Sequence, residues 1–402
     1  MLTYKEFCMA ISQKIRSFME KASWIRKMFE QGALLKQQYG ADNVFDFSLG
    51  NPNLEPPEQF FDTLEDVIRT RTPGRHGYMS NAGYPETRAA VAEYLSEEHG
   101  IELFAEHVIM TCGAGGALNV TLKTLLDPGD EVIIPKPYFV EYHFYVDNFG
   151  GVCKLVPTTS DFNLDLAAIE AALSERSKVI LINSPNNPTG RVYDRSRIQA
   201  LGSLLEKKSR ELGREIYLVS DEPYAKIVYD GVTVPSIFQA YANSIIVTSY
   251  SKDLSIPGER LGFIAVHPRL TPLQDVLGGL VFCNRTLGFV NAPATMQRVV
   301  QRLQGFAVDV SQYRRKRDLL CDILESIGYQ FVKPQGAFYL FPRTPLEDDV
   351  AFVQELLAER ILCVPGSGFG CPGHFRIAYC VDDSVIQGAA AGFAKVGRKY
   401  LS

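Results

Sequence analysis

The chain has 402 residues, 46% hydrophobic and 22% charged, with a formal net charge of −5. That length exceeds one simple core and suits a large domain with a smaller partner. The acidic balance, with no basic stretch, argues against nucleic acid or an anionic membrane surface as partner, and no apolar run approaches the ~20 residues that span a bilayer.

The first ~45 residues read as amphipathic helix, with Phe18, Ile25, Phe29 and Leu34 among the apolar positions. Lys5, Glu6, Lys14 and Arg16 interrupt this stretch too often for a signal peptide. Residues 1–48 lack a core of their own and are expected to pack on the smaller domain. From about Val108 the pattern changes to short, continuously apolar runs: VIMTC, EVIIP, GVCKLVP, KVILIN, EIYLVSD, SIIVTSYS and LGFIAVH. Such runs are strands buried on both faces. Helical stretches such as DLAAIEAALSE and SRIQALGSLLEKKSRELG lie between many of them. The alternation predicts an α/β fold with a mostly parallel seven-stranded sheet between helices, over residues 49–290. After Asn291 a helical region to about Ile327 precedes GYQFVKP, GAFYLFP, DDVAFVQELLAER, ILCVPG, HFRIAYC and a last helix. Residues 291–402 therefore read as a smaller α+β domain, completed by the other chain end.

The cysteines (Cys8, Cys112, Cys153, Cys283, Cys321, Cys363, Cys371 and Cys380) are scattered, without paired metal-ligand spacing. Reduced thiols in a cytoplasmic protein, with no metal site, are the expectation.

One string concentrates chemistry. SYSKDLSIPGERLG, residues 249–262, follows an apolar strand, and the carboxyl end of a strand in an α/β sheet is where ligands gather. Ser249 and Ser251 flank Lys252, and Arg260 follows. A hydroxyl and a guanidinium fork suit phosphate. A lysine desolvated beside such a cation loses proton affinity, which frees its amine for Schiff-base chemistry. Taken alone, Lys252 would be a turn lysine.

The string resembles the lysine segment of the class I/II aminotransferases, the fold-type-I pyridoxal-phosphate enzymes. Further segments match in order: FSLGNPNLEPP (47–57), GYMSNAGYPETRAAVAEYL (77–95), SPNNPTG (184–190), SDEPYAKIVYD (220–230) and HFRIAYC (374–380). The resemblance implies a Schiff base between Lys252 and pyridoxal 5'-phosphate. It implies that Asp221 keeps the pyridinium nitrogen protonated, so that the ring remains an electron sink. Tyr224 and Asn187 would bond the phenolic oxygen. Taken alone, Asp221 could instead cap a helix, Tyr224 could be structural and Asn187 ordinary turn chemistry.

In TCGAGGALNV, 111–120, small residues open a helix after a strand, and helix-terminal amides hold phosphate. Ala114 and Gly115 match the phosphate-contacting amides. A dinucleotide fingerprint would need glycine where Leu118 stands and an acid ending the next strand, whereas Glu131 opens it. Phe139 matches the aromatic that stacks on the ring, with Tyr138 the alternative. By resemblance Arg376 holds the substrate α-carboxylate, helped by Asn187 and the Gly50 amide. The alternative is an internal salt bridge, because a buried arginine needs an anionic partner. Tyr78 resembles the tyrosine that reaches a neighbouring subunit's phosphate, which implies a homodimer.

The implied activity is transfer of an amino group between an L-amino acid and a 2-oxo acid in a ping-pong cycle. Lys252 serves as proton shuttle. The same residues support Cβ–Sγ lyases and other Cα chemistry. An aminotransferase-like transcription regulator is a remoter alternative, since the ~46 residues before the first motif show no helix-turn-helix. Lys123 and Arg285 are candidates to meet a distal substrate carboxylate, and Tyr78 and Tyr84 to favour larger apolar side chains.

Overall fold

The structure is a computed structural model, and it describes residues 11–21, 24–71 and 73–401. Lys5, Glu6, Cys8 and the side chains of Ile25 and Phe29 lie outside the described set. Helices α1 (Gln13–Lys21) and α2 (Trp24–Tyr39) lead to a short strand β1 (Phe45–Asp46), then α3 (Glu58–Arg69) and α4 (Pro85–His99). An alternating run follows: β2 (Val108–Thr111), α5 (Gly113–Leu125), β3 (Glu131–Lys136), α6 (Glu141–Asp147), β4 (Val152–Pro157), α7 (Leu166–Ala172), β5 (Ser177–Asn183), α8 (Arg195–Leu212), β6 (Tyr217–Asp221), β7 (Ser244–Ser249) and β8 (Gly262–Val266). The remainder comprises α9 (Leu273–Thr286), α10 (Ala294–Val300), α11 (Val310–Ile327), β9 (Tyr339–Leu340), α12 (Asp349–Ala358), β10 (Ile361–Leu362), β11 (Val364–Pro365), β12 (Phe375–Ala378) and α13 (Asp383–Gly397).

The seven apolar runs form one seven-stranded sheet in the order β2-β8-β7-β6-β5-β3-β4. The β4–β3–β5–β6–β7 pairings are parallel. Only β8 runs against its neighbours, pairing antiparallel with β7 and β2. Every residue of β2, β6 and β8 is buried, as expected of strands covered on both faces, whereas the edge strand β4 is largely uncovered. One face packs Leu95 of α4, Leu205 of α8 and Val299 of α10; the other packs Leu122 of α5, Tyr142 of α6 and Leu280 of α9. Each fully buried leucine contributes about 2 kcal/mol by leaving water, so the two helical layers clamp the sheet and fix the loops at its carboxyl edge.

A separate core gathers Met28, Phe47, Phe338, Phe352, Phe375 and Phe393. Both chain ends build it: β1 pairs in parallel with β10, and the Ala378 amide donates to the Phe47 carbonyl at 3.0 Å. α2 carries Met28 into this core. The expectation that the whole leading segment packs there is corrected for α1. Lys14 pairs with Asp147 at 2.5 Å, and Phe18 meets the rings of His143 and Phe144 edge-on, so α1 lies against α6 of the larger domain. The helical region expected from 292 to 327 is also broken. Gly305, at φ +83°, turns the chain between α10 and α11, and the Asp309 side chain caps α11 by accepting from the Ser311 amide.

Candidate active site

Parallel strands that end at one edge bring their last residues together, and here those residues are polar. Asn183 ends β5 and Asp221 ends β6, and the two are register partners; Ser249 ends the adjoining β7. They open onto a cavity of about 400 Å³, whose wall also includes Gly50, Ala114, Gly115, Phe139, Asn187, Tyr224, Ser251, Lys252, Arg260 and Arg376. Residues from six separated motifs therefore meet in one place. Tyr78 does not line this cavity and is 94% exposed.

Lys252 follows β7 and points into the cavity, where its Nζ donates to the Gly50 carbonyl at 2.8 Å and lies 5.5 Å from the Phe338 ring centre. Burial pushes its ammonium down to about 8, and the Arg376 and Arg260 guanidiniums push the same way against the opposing influence of Cys380. A substantial neutral fraction near physiological pH is what a nucleophilic amine requires.

Asp221 is held by two neighbours. Its Oδ2 accepts from the Tyr142 hydroxyl at 2.5 Å, and its backbone carbonyl accepts from Asn183 Nδ2 at 2.8 Å. Its Oδ1 is buried with no partner among the described residues. Burial lifts the carboxyl to about 7, although the Tyr142 bond favours the charged form. A carboxylate so placed is incomplete without a cation or donor. The helix-cap alternative does not hold, because no helix starts after Asp221.

Arg376 is the complementary case. Its Nη1 donates to Asn187 Oδ1 at 3.0 Å and its Nη2 to the Ser48 carbonyl at 2.6 Å, while Nε is buried and unpartnered. The guanidinium lies between the Tyr339 and Phe369 rings, 4.7 and 4.8 Å from their centres. No carboxylate among the described residues pairs with it, so the internal salt-bridge alternative fails. Tyr339 also shares a hydrogen bond with Tyr224, hydroxyl to hydroxyl at 2.8 Å, and packs so close that a Cβ on Gly50 would lie 2.0 Å from its oxygen.

The third corner is the start of α5. Gly113 takes φ +70°, Cys112 offers no side-chain cap, and the first-turn amides of Ala114 and Gly115 border the cavity. Arg260 comes so near that a Cβ on Gly113 would lie 3.0 Å from its Nη2, and a Cβ on Gly262 would meet the Thr248 carbonyl at 2.3 Å. Uncapped amides facing a guanidinium fork make an anion cradle.

These features fit pyridoxal phosphate. An unpartnered carboxylate oxygen awaits a ring N–H, a cradle awaits a phosphate, and a lysine of lowered proton affinity lies in the same cavity. Of the two candidate aromatics, Phe139 lines the cavity, whereas Tyr138 packs on Gly370. Glu131 is tied to Ser174, Lys154 and Arg176 at the opposite end of β3, which leaves it no ribose to bind. Tyr84 turns away from the cavity: its hydroxyl donates to the Arg75 carbonyl and Arg298 covers its ring. Lys123 lies over Phe149 and Arg285 over Phe282, both outside the cavity wall. Four contributors have no signature in their own segments: Tyr142, Asn183, Tyr339 and the Ser48 carbonyl. Asn183 gives the nearest thing to a signal, a polar residue ending an apolar strand.

Comparison with known proteins agrees with this geometry. The family described as aminotransferase class I and II matches residues 42–393. The aspartate/prephenate aminotransferase of Thermus thermophilus is 32% identical over 373 residues, which cover 90% of this chain and 93% of that protein. A crystal structure of an amino transferase from Eubacterium rectale superposes with a TM-score of 0.95 at 39% identity, covering 98% of this chain and all of that one. An aspartate aminotransferase from Thermus thermophilus with maleate gives a TM-score of 0.85 at 28% identity, covering 96% of this chain and 99% of that chain. The chain thus belongs to the class I and II aminotransferases and is a pyridoxal-phosphate-dependent transaminase.

Proposed function

We propose that the enzyme moves an amino group between an L-amino acid and a 2-oxo acid by a ping-pong cycle, with Lys252 as the Schiff-base lysine. The observation that carries this reading is the pairing of opposites in one cavity. Asp221 Oδ1 lacks a donor and Arg376 Nε lacks an acceptor, while Lys252 lies in the wall with them. Bound pyridoxal phosphate supplies an electron sink for the bond broken at the substrate's Cα.

The chain's residues do the rest. Asp221, fixed by Tyr142, holds the proton on the pyridinium nitrogen. Tyr224 and Asn187 face the phenolic oxygen, and Phe139 supports one face of the ring. Ala114, Gly115, Ser249 and Arg260 hold the phosphate. Arg376 grips the α-carboxylate, assisted by Asn187 and the Gly50 amide, and so turns the Cα–H bond perpendicular to the ring. The Lys252 amine would hold the cofactor and, when free, would act as general base and then general acid toward the substrate's Cα proton.

Tyr78 is 94% exposed and so free to reach a neighbouring subunit, which supports a homodimer in which it meets the neighbouring phosphate. The separate cores support a cofactor domain and a small domain joined by the leading segment, but Ala292, Met296 and Val299 pack in the core of the sheet, which moves the boundary from residue 291 to beyond α10. The free cysteines among the described residues support a cytoplasmic setting.

A half-reaction tests the proposal. Holoenzyme given an L-amino acid and no oxo acid should release one equivalent of 2-oxo acid per subunit and stop in the pyridoxamine form. Continued turnover with release of ammonia would instead mark a lyase.

A further inference from the structure

We propose that Glu141 sets the donor specificity of this enzyme, favouring amino acids whose side chain ends in a hydrogen-bond donor or cation and disfavouring those with a distal carboxylate. The inference rests on the aminotransferase reading above and deepens it.

The charged groups of the cavity wall are Lys252, Arg260, Arg376, Asp221 and Glu141. Four of them have a task in that reading: Arg260 faces the phosphate, Asp221 the ring nitrogen, Arg376 the α-carboxylate and Lys252 the covalent link. Glu141 is left over. Its carboxylate forms no hydrogen bond or ion pair among the described residues, although the residue is half-buried. The backbone holds it in place, since it opens α6 between Phe139 and Tyr142, two residues fixed by the site itself. Four residues on, Tyr145 brings its hydroxyl within 3.2 Å of where a Cβ on Gly115 would stand. The carboxylate is therefore set into the same wall as the ring-facing aromatic and the phosphate cradle.

No spare cation among the described residues offsets it, because Lys123 and Arg285 both lie outside the wall. Once the phosphate and the α-carboxylate have taken the two arginines, the remaining fixed charge facing a substrate side chain is negative. A distal carboxylate would meet a like charge at a half-buried position, an arrangement that disfavours such ligands. An amide N–H or an ammonium would instead complete an unpartnered carboxylate. Burial shifts Glu141 toward its neutral form, which a donor group at this position would oppose.

The test uses isosteric donors. For the reconstituted holoenzyme, kcat/KM is measured with L-glutamine against L-glutamate. L-alanine, whose side chain is a single methyl, serves as the reference that normalises for any general loss of fold or cofactor. Wild type is expected to favour glutamine over glutamate by about 10-fold or more, which is about 1.4 kcal/mol. Glu141→Gln is expected to bring that ratio down by a similar factor, chiefly through KM. Glu141→Asp, which keeps the charge, is expected to retain the wild-type preference. If alanine is turned over but glutamate is preferred by the wild type, or the normalised ratio is unmoved in Glu141→Gln, the assignment of Glu141 is overturned. An unmoved ratio with loss of the dimer mass would place Glu141 at a subunit contact and overturn the assignment equally. If no donor is transaminated, alanine included, the reading of the previous section fails and this one with it.

Discussion

The Tyr142 hydroxyl donates to Oδ2 of Asp221 at 2.5 Å, and Oδ1 of the same carboxylate has no partner among the described residues. The bond fixes the plane of the carboxylate and leaves its other oxygen aimed at a guest. Tyr142→Phe removes a hydrogen bond to a charged group, worth about 1.5–3 kcal/mol. Loss of a bond that favours the charged form raises the Asp221 pKa further. The variant is expected to bind pyridoxal phosphate about 10-fold or more weakly, and the acidic limb of its pH–rate profile should move to higher pH. Absorbance titration with the cofactor and kcat/KM against pH would check both.

Asp221 also makes apo-enzyme stability depend on pH. Its folded value of about 7 lies above the ~3.9 of an unfolded chain. Between those values the folded protein holds a proton that the unfolded chain has released, so stability falls as pH rises through that window and is level above it. Asp221→Asn removes this dependence. Apo Asp221→Asn is expected to melt at a higher temperature than apo wild type at pH 8 and at a similar temperature near pH 4, while losing most activity. Thermal melts of the two apo proteins at both pH values would show it, and equal melting at pH 8 would count against the buried, unpartnered carboxylate.

Arg376 binds through geometry as well as charge. Arg376→Lys keeps the cation but loses the fork that meets a carboxylate with two parallel bonds. The expected loss in kcat/KM for amino donors is about 100-fold, or about 2.7 kcal/mol. Cofactor affinity should change little. Steady-state kinetics beside a cofactor titration separates the two effects.

Gly262 lets β8 pass the start of α5. An added Cβ would sit 2.3 Å from the Thr248 carbonyl and 2.9 Å from the Gly113 carbonyl carbon, both backbone atoms that cannot swing aside. Gly262→Ala is expected to cost about 1–3 kcal/mol of stability and to weaken phosphate binding by moving α5 from Arg260. A lower Tm together with a higher Kd for pyridoxal phosphate would be the signature.

Much of the fold can be read directly because its physics is local. A strand buried on both faces must be continuously apolar, as the buried runs of β2, β6 and β8 are, whereas the edge strand β4 carries Lys154 and is largely uncovered. Asp221 stands at the end of such a strand, whereas Lys252 and Asn187 lie in turns beyond β7 and β5 and are legible only through the resemblance of their whole segments. Tyr142 and Tyr339 cannot be read this way, since each acts on a residue distant in sequence and looks like ordinary core in its own segment. Packing likewise distinguishes Tyr138 from Phe139, since of the two only Phe139 lines the cavity. The break between α10 and α11 does carry a local signal, Gly305 followed by Asp309, outweighed by the apolar periodicity on either side. The seating of α1 on α6 depends on the Lys14–Asp147 ion pair and two contacts of the Phe18 ring, and helical periodicity does not say which surface an apolar face will choose.

The central claim is that Lys252 carries the cofactor. Holoenzyme reduced with borohydride, digested and mapped by mass spectrometry tests it most directly. The expected product is a single phosphopyridoxyl-modified peptide with the label on Lys252, and none from Lys252→Ala treated alike. A label on another lysine, or an equal label in the variant, would contradict it.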